Sequence, residues 1–299
     1  MNKPGPQSST LLSSPAHRPA YAARIRRVIE HMDANLAQTL SLEQLAAVAH
    51  FSPFHFHRQF SAFTGIPVSR LLRLMRLRLA SRKLALEPDA SITEIALLSG
   101  FDSPESFSRA FRQFYGKPPS AFREDPQWQP WQREPLHQHL ENPMNTEVEI
   151  VAFPHTHIAA VEYQGPHWQS LSATRRLIAW RRENGVSPGK GQTFGIHYSD
   201  PENTPPELYR MDVAVSYDRP IASNSHGIVA KEIPAGLCAR IRHLGSRDYI
   251  AEADYLYREW LPASGRELRD FPIFFHYVNV GPDVRDADMI TDVYLPLKG

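Results

Sequence analysis

One nine-residue motif occurs twice in the chain, as "SPFHFHRQF" at 52–60 and "SPESFSRAF" at 103–111. Upstream, "SLEQLAAVAHF" (41–51) matches "SITEIALLSGF" (91–101) at an offset of 50. After one inserted residue the offset becomes 51 and continues to Pro67 and Pro118. A duplication of this length indicates one small structural unit that is made twice.

The first part of each unit predicts a short helix. Ser41 and Ser91 are candidate N-caps, and Gln44 and Glu94 stand three places later, as in a capping box. Apolar residues then recur at helical spacing. A short turn follows in both copies, so each unit begins as a capped helix that ends in a turn.

The second part of each unit predicts another helix. Ser52 and Ser103 are candidate caps, and Pro53 and Pro104 stand at the first helical position, where a missing N–H costs nothing. The residues predicted to be buried are Phe56, Phe60 and Phe63 in one copy and Phe107, Phe111 and Phe114 in the other. Two helices joined by a tight turn form the helix-turn-helix, whose second helix enters the major groove of DNA.

The remaining face of the second helix differs between the copies. It carries Phe54, His55, His57 and Arg58 in the first unit, and Glu105, Ser106, Ser108 and Arg109 in the second. A shared scaffold with different exposed side chains predicts that the two helices recognise different half-sites of the DNA. Arg58 and Arg109 are predicted to reach guanine edges or phosphates. The alternative is an all-helical domain that was duplicated only for packing.

A long helix is predicted between the units, over 66–88. Its apolar stripe leaves Arg70, Arg73, Arg78 and Lys83 largely outside. As a rigid spacer it would set the two recognition helices about one DNA turn, roughly 34 Å, apart. A further helix over 21–36 is predicted to cover the first unit.

Charge divides the chain in two. Residues 1–123 hold 16 Lys and Arg against 8 Asp and Glu, whereas residues 124–299 hold 17 against 24. A basic front half indicates a polyanionic partner that the acidic back half does not contact. The predicted organisation is a disordered leader (1–20), an all-α domain (21–124), a proline-rich linker (125–145) and a second domain (146–299).

The second domain also contains a duplication, at a spacing of 80 residues. "HIAAVEYQG" (157–165) parallels "LCARIRHLG" (237–245), and "IHYSDP" at 196 echoes "FHYVNV" at 275, there at an offset of 79. Each unit is predicted as strand, helix, strand, strand, so the whole domain is an α+β fold of two pseudo-symmetric βαββ repeats. A cleft along their join is a natural place for a ligand.

Aromatic and acidic residues are the candidates for that cleft. The predicted ligand-binding set is Glu162, Tyr163, Trp168, Tyr198, Tyr257, Trp260, Phe275, Tyr277 and Asp292. Aromatic faces beside a buried carboxylate would suit a lipophilic cation. Two alternatives stand beside this hypothesis: Trp180 and Trp260 are core residues, and Asp212 and Asp292 bond to backbone at strand ends.

The histidine pairs do not predict a metal site. His55 and His57 lie two apart on a helix and point in different directions. His155 and His157 could chelate from a strand, but no carboxylate or cysteine cluster accompanies them in the sequence. We therefore predict no metal and no cofactor.

Two family resemblances follow from these motifs. Residues 22–124 resemble the DNA-binding domain of AraC/XylS transcription regulators, on the pattern Gly100, Phe101, Ser103, Phe107, Arg109, Phe111, Gly116, Pro119 and Arg123. The resemblance implies DNA contacts from Phe54, His57 and Arg58 and from Pro104, Glu105, Ser106 and Arg109. Residues 146–299 resemble the GyrI-like effector-binding domain, on "EYQGP", "FFHYVN" and "TDVYLPL". Many members of this family carry a Glu in the pocket at the position of Phe275. The absence of that Glu argues against a strictly cationic ligand.

The combined prediction is a transcriptional regulator that is not an enzyme. Its predicted partners are promoter DNA, a small amphipathic effector, with lipophilic cations among the candidates, and RNA polymerase, with no membrane. A single cysteine, Cys238, and the absence of a signal peptide or long apolar run predict the reducing cytoplasm. Three alternatives remain: a hydrolase using Glu162 or Asp292, a protein-interaction module, and non-specific DNA compaction.

Overall fold

The computed structural model describes residues 18–127, 145–201, 203–281 and 283–299. The predicted leader and linker lie outside these residues, except that 18–20 already belong to the first helix and that 125–127 and 145 flank the gap. No described helix combines the length and the apolar character that crossing a lipid bilayer requires.

The front half of the chain is helical. Its helices are α1 (Arg18–Ala34), α2 (Leu42–Val48), α3 (Pro53–Thr64), α4 (Val68–Leu86), α5 (Ile92–Leu98), α6 (Pro104–Tyr115) and α7 (Pro119–Glu124). The helix pairs α2–α3 and α5–α6 are the two predicted helix-turn-helix units.

Serine side chains cap the first turns of α2, α5 and α6. Ser41 forms the predicted capping box with Gln44, and the Ser91 hydroxyl accepts a hydrogen bond from the Glu94 N–H. Ser103 likewise accepts from the Ser106 N–H at the start of α6. Ser52 stands at the N-cap of α3, but its side chain makes no capping hydrogen bond. The first recognition helix therefore begins with a weaker side-chain cap than the second.

Helix α4 supplies the core for both units. Its first half buries Leu71 and Met75 against Phe56 and Phe60 of the first unit. Its second half buries Leu77, Ala80 and Leu84 in the cluster that holds Phe107 and Phe111 of the second unit. One rigid helix thus connects two apolar clusters, and its position determines where both recognition helices lie.

The back half forms one antiparallel sheet of eight strands. They are β1 (Glu149–Phe153), β2 (Thr156–Gln164), β3 (Thr193–His197), β4 (Arg210–Ser216), β5 (Ile228–Ile233), β6 (Gly236–Leu244), β7 (Ile273–Tyr277) and β8 (Ile290–Pro296). Their order in the sheet is β1-β6-β8-β7-β3-β4-β2-β5. Each half of the domain contributes four strands, one more than predicted, because β1 and β5 precede the strands that the sequence repeat contains.

Two helices cover the outer parts of one face of this sheet. Helix α8 (Leu171–Glu183) packs on β2 and β4, and its Leu177 and Trp180 are buried there. Helix α9 packs on β6 and β8; it is α-helical over Glu252–Tyr255 and Leu261–Ser264 and π-helical over Leu256–Trp260 between them. The central strands β3 and β7 lie between the two helices.

The two halves of the chain meet along α4. The Arg78 guanidinium lies 2.6 Å from an Asp248 carboxylate oxygen and 2.9 Å from one of Asp286, and Arg82 also pairs with Asp286. From α8, the Arg175 Nε donates to the Ala85 carbonyl at 2.8 Å. Arg78 was predicted outside the apolar stripe, and it is; its side chain is nevertheless only 10% exposed because the sheet domain covers it.

Candidate functional site

The exposed face of α3 presents three of the four residues that were predicted to contact DNA from this helix. His55, His57 and Arg58 are exposed, whereas Phe56 and Phe60 on the opposite face are fully buried. Phe54 belongs to the same helix, but its side chain lies outside the described part of the structure. The helix therefore separates core from surface as the sequence indicated.

The second recognition helix repeats this separation with a different surface. Glu105 and Arg109 are exposed, Pro104 and Ser106 are half-buried, and Phe107 and Phe111 are buried. Hydrogen bonds from its own backbone N–H and from Ser103 lower the pKa of Glu105, so this carboxylate is charged near neutral pH. A negative charge at the start of α6 repels phosphate, and the first helix carries no acidic residue in this position. DNA contact by either set of residues stays a prediction.

The turn before α6 joins the two units. Gly100 has φ +81°, and a Cβ there would lie 2.0 Å from the Leu36 carbonyl oxygen, so the position requires glycine. The Arg76 Nε donates to that same carbonyl at 2.9 Å. Arg123, the last residue of the family pattern, donates to the carbonyls of Pro88 and Ala90. Gly100 and Arg123 therefore make contacts within the scaffold of the helical domain.

In the sheet domain, the face of β3 and β7 that lies between the helices α8 and α9 is the candidate position for the predicted cleft. Its floor is Gly195, together with the half-buried side chains of His197, Phe275 and Tyr277. A Cβ on Gly195 would lie 2.5 Å from the Tyr277 Oη and 3.1 Å from the His197 Nε2, so both polar atoms sit directly above the glycine. The rings of His197 and Phe275 are 4.3 Å apart.

His197 is held neutral in this cleft. Burial lowers its pKa to about 4, so the imidazole carries no charge at pH 7. Its Nδ1 lies 3.2 Å from the Tyr209 Oη, whereas its Nε2 is buried and has no hydrogen-bond partner among the described residues. A buried polar atom without a hydrogen bond destabilises the fold unless a ligand or a water molecule forms that bond.

Arg247 brings a positive charge to the same cleft. Its guanidinium lies over the Tyr277 ring, 4.7 Å from the centroid, and donates to the Asn279 carbonyl at 2.5 Å. Burial lowers the pKa of Arg247, but a guanidinium stays charged at neutral pH. Its Nε is buried without a hydrogen-bond partner within the described ranges. Sequence reasoning missed all three polar residues. His197 lies in a repeated segment that was aligned one residue out of register, and Tyr209 and Arg247 lie outside the repeated segments.

The other predicted ligand residues on this side lie on β2, in the turn after β2 and on α9. The Tyr163 hydroxyl donates to the Pro166 carbonyl at 2.7 Å, and Trp168 lies in the following turn beside His167, with ring centroids 4.9 Å apart. Tyr257 and Trp260 both lie in the π-helical turn of α9, a type of distortion that often occurs at functional sites. Trp260 packs in the same cluster as Phe275.

Three predicted residues lie on the opposite face of the sheet. The Tyr198 hydroxyl donates to Asp212, whose carboxylate also pairs with Lys231 at 2.7 Å. Glu162 pairs with the same lysine at 2.6 Å, and this bond lowers the pKa of Glu162. Asp292 accepts two hydrogen bonds from Arg242. The structure therefore does not bring Glu162, Tyr198 and Asp292 together with the cleft, and Asp212 and Asp292 bond to side chains, not to backbone.

The strand register explains why Tyr198 was misplaced. The predicted echo aligned Tyr198 with Tyr277 at an offset of 79, but β3 and β7 correspond at an offset of 80, which aligns His197 with Tyr277. A shift of one residue moves a side chain to the other face of a strand. His197 therefore occupies the cleft position that was predicted for Tyr198.

Comparison with known proteins identifies both halves. A family described as the GyrI-like small molecule binding domain matches residues 146–298. The chain belongs to this family. A helix-turn-helix domain of the AraC type matches residues 45–125.

Individual relatives agree with this assignment. The chain is 38% identical over 157 residues to the probable transcriptional regulator YgiV of Escherichia coli K12. This match covers 52% of the chain and 98% of YgiV. It is also 38% identical over 103 residues to the uncharacterized HTH-type transcriptional regulator YbfP of Bacillus subtilis 168, across 34% of this chain and 35% of YbfP. The solved DNA-binding domain of AdpA, in complex with a target DNA, is 32% identical across 34% of this chain and 90% of that domain, with a TM-score of 0.33.

Proposed function

We propose that the chain is a sequence-specific, DNA-binding transcriptional regulator whose GyrI-like domain senses a small aromatic effector. The observation that carries the DNA-binding part is the pair of exposed arginines, Arg58 and Arg109, at equivalent positions of two recognition helices with different neighbours. The AraC-type domain, the relatives named as transcriptional regulators and the AdpA domain bound to DNA all support this proposal. RNA polymerase stays a predicted further partner.

The cleft favours an uncharged or anionic aromatic effector over a cation. Phe275 and Tyr277 offer ring faces. The His197 Nε2 and the Arg247 Nε, which have no hydrogen-bond partner among the described residues, offer polar contacts. Arg247 is a cation. On the neighbouring strands β4 and β8, the buried Asp212 and Asp292 lie on the opposite face of the sheet and are already paired with cations. A lipophilic cation would therefore meet like charge without a balancing carboxylate.

The contact of α4 with the sheet domain offers a route from effector to DNA. Arg78 donates to the Ser246 hydroxyl and to Asp248, on either side of the cleft residue Arg247. It also pairs with Asp286, in the connection that follows Asn279, the second partner of Arg247. An effector that repositions Arg247 would shift two turns that hold α4, and α4 spaces the recognition helices. We propose that this is how effector occupancy changes DNA affinity.

A hydrolase is the weaker candidate. A general acid in this domain would need a carboxyl group with a raised pKa, and Lys231 instead lowers the pKa of Glu162. Asp292, the other candidate, is occupied by Arg242. Neither carboxylate faces the cleft.

Thermal unfolding of the full chain with a panel of aromatic ligands tests the sensor proposal. The panel contains benzoate and naphthoate, the corresponding neutral amides, and aromatic quaternary ammonium ions. Stabilisation by the acids or amides, lost in Tyr277→Ala, supports the proposal. Stabilisation by the ammonium ions alone would reverse the assignment of ligand charge, and no stabilisation by any compound would count against sensing.

A further inference from the structure

Three metal-ligating side chains converge at the edge of the sheet. His157 on β2 lies directly opposite Glu232 on β5 in the antiparallel pair. His155 lies two residues before His157, in the connection between β1 and β2. The His155 Nε2 lies 2.9 Å from a Glu232 carboxylate oxygen, and the two imidazole rings are 4.7 Å apart.

The spacing is close to that of a coordination sphere. One ligand atom from each residue can be chosen so that all lie within 4.8 Å of one another. Zinc bonds of about 2.0–2.2 Å would bring the three ligands to roughly 3.5 Å separation. All three residues are exposed, so small rotations of their side chains close this difference without disturbing the core.

The donor set selects a class of metal. Two imidazole nitrogens and one carboxylate oxygen suit zinc, nickel and copper ions, whereas calcium and magnesium prefer sites made of oxygen alone. Three protein ligands also leave coordination positions open. The sequence showed the two histidines without a carboxylate; the pairing of β2 with β5 supplies it.

We propose that His155, His157 and Glu232 form a surface binding site for a late first-row divalent metal ion. The site is separate from the effector cleft, because β5 is the outermost strand and the cleft floor lies on the central strands β3 and β7. It therefore does not depend on the function proposed for the cleft. The open coordination positions face solvent, where water or a donor group from another molecule completes the shell.

Isothermal titration of zinc into the full chain, freed of affinity tag and stripped of metal, tests this site. We expect saturable binding whose affinity falls at least tenfold in His157→Ala and in Glu232→Gln, about the size of effect seen when metal-site partners are removed. Magnesium at the same concentrations should not compete. Binding of zinc that is unchanged in both variants, or no binding of zinc to the wild type, would overturn the proposal.

A matched control comes from a second histidine–glutamate pair. The His226 Nε2 lies 2.9 Å from a Glu183 carboxylate oxygen, but no third donor joins this pair among the described residues. His226→Ala should therefore leave zinc affinity unchanged, and an equal loss there would argue for unspecific binding by surface pairs.

Cobalt(II) provides a readout that does not depend on stability. Its visible absorption should appear on binding to the wild type and vanish in the double variant His155→Ala/His157→Ala, while circular dichroism shows that both proteins are folded. Burial raises the pKa of the Cys238 thiol to about 11, so a sulfur-to-cobalt band should be absent. A spectrum that survives the double variant would contradict the assignment.

Discussion

The two duplicated regions of this chain respond very differently to a one-residue change of spacing. Between the helix-turn-helix units the offset changes from 50 to 51 at an inserted Asp102, yet Phe56 and Phe107 both remain buried. The extra residue lies in the turn, so each recognition helix keeps its N1 proline and its apolar face. In the sheet domain, an alignment wrong by one residue placed Tyr198 in the cleft instead of His197. Helical faces are set locally, whereas the face of a strand depends on register.

The largest expected effect concerns the contact between the two regions. Replacing Arg78 by Ala removes the cation that Asp248 shares with the half-buried Asp286, and Asp286 keeps only its pair with Arg82. We expect a loss of about 2–3 kcal/mol in the free energy of unfolding, below the full cost of breaking a buried pair because Asp248 is partly exposed. Urea denaturation of the full chain measures it.

Arg73→Ala is the matched control on the same helix. Arg73 is exposed, so its loss should change stability by less than about 0.5 kcal/mol. Equal effects of the two variants would show that α4 is not held by the sheet domain.

Arg58→Ala should weaken specific DNA binding by about 1–3 kcal/mol. Arg109→Ala should weaken it less, because Glu105 beside it already opposes phosphate contact. Mobility-shift titrations on a selected target and on random duplex measure both variants. A loss of equal size on the two duplexes would mean that Arg58 contacts phosphates only, and equal losses from the two arginines would remove the predicted asymmetry of the units.

The strand register can be tested with two tyrosines that the sequence echo treated as equivalent. Tyr277→Ala should weaken binding of the best aromatic ligand by roughly tenfold, about 1.4 kcal/mol, because Tyr277 forms the cleft floor. Tyr198→Phe should leave ligand affinity unchanged, since its hydroxyl bonds Asp212 on the other face. Thermal-shift titration compares them. Loss of binding in Tyr198→Phe would instead favour the original alignment.

The smallest expected effect is a pH dependence at the contact of α1 with the sheet domain. Burial, followed by the neighbouring Asp286, raises the pKa of Asp33 from 3.8 to about 6. Because the folded state holds this proton more tightly, its contribution to stability is complete below about pH 4 and is lost as the pH rises through 6. Asp33→Asn should therefore gain stability relative to the wild type between pH 5 and pH 7, by no more than about 1 kcal/mol.

Denaturation curves of both proteins at the two pH values measure this difference. A constant difference between wild type and Asp33→Asn at pH 5 and pH 7 would show that Asp33 does not hold a proton in this contact.

By itself, the sequence determined the features that depend on neighbours along the chain. Serine, proline and a helical period act within a few residues, and they predicted the two helix pairs and the exposed Arg58 and Arg109. They also predicted the fully buried phenylalanines, which are Phe56, Phe60, Phe107 and Phe111. These features were sufficient to predict the DNA-binding half. The additional strands β1 and β5 were not predicted, because they lie outside the internal repeat that indicated the other strands.

Tertiary structure decided everything that depends on distant pairing. Strand register placed His197, and not Tyr198, above Gly195, and the pairing of β5 with β2 placed Glu232 beside His157. Docking of the sheet domain buried Arg78, a charged residue that a helical pattern assigns to solvent. In each case the partner is brought close by folding and not by spacing in the chain, so no local pattern could reveal it.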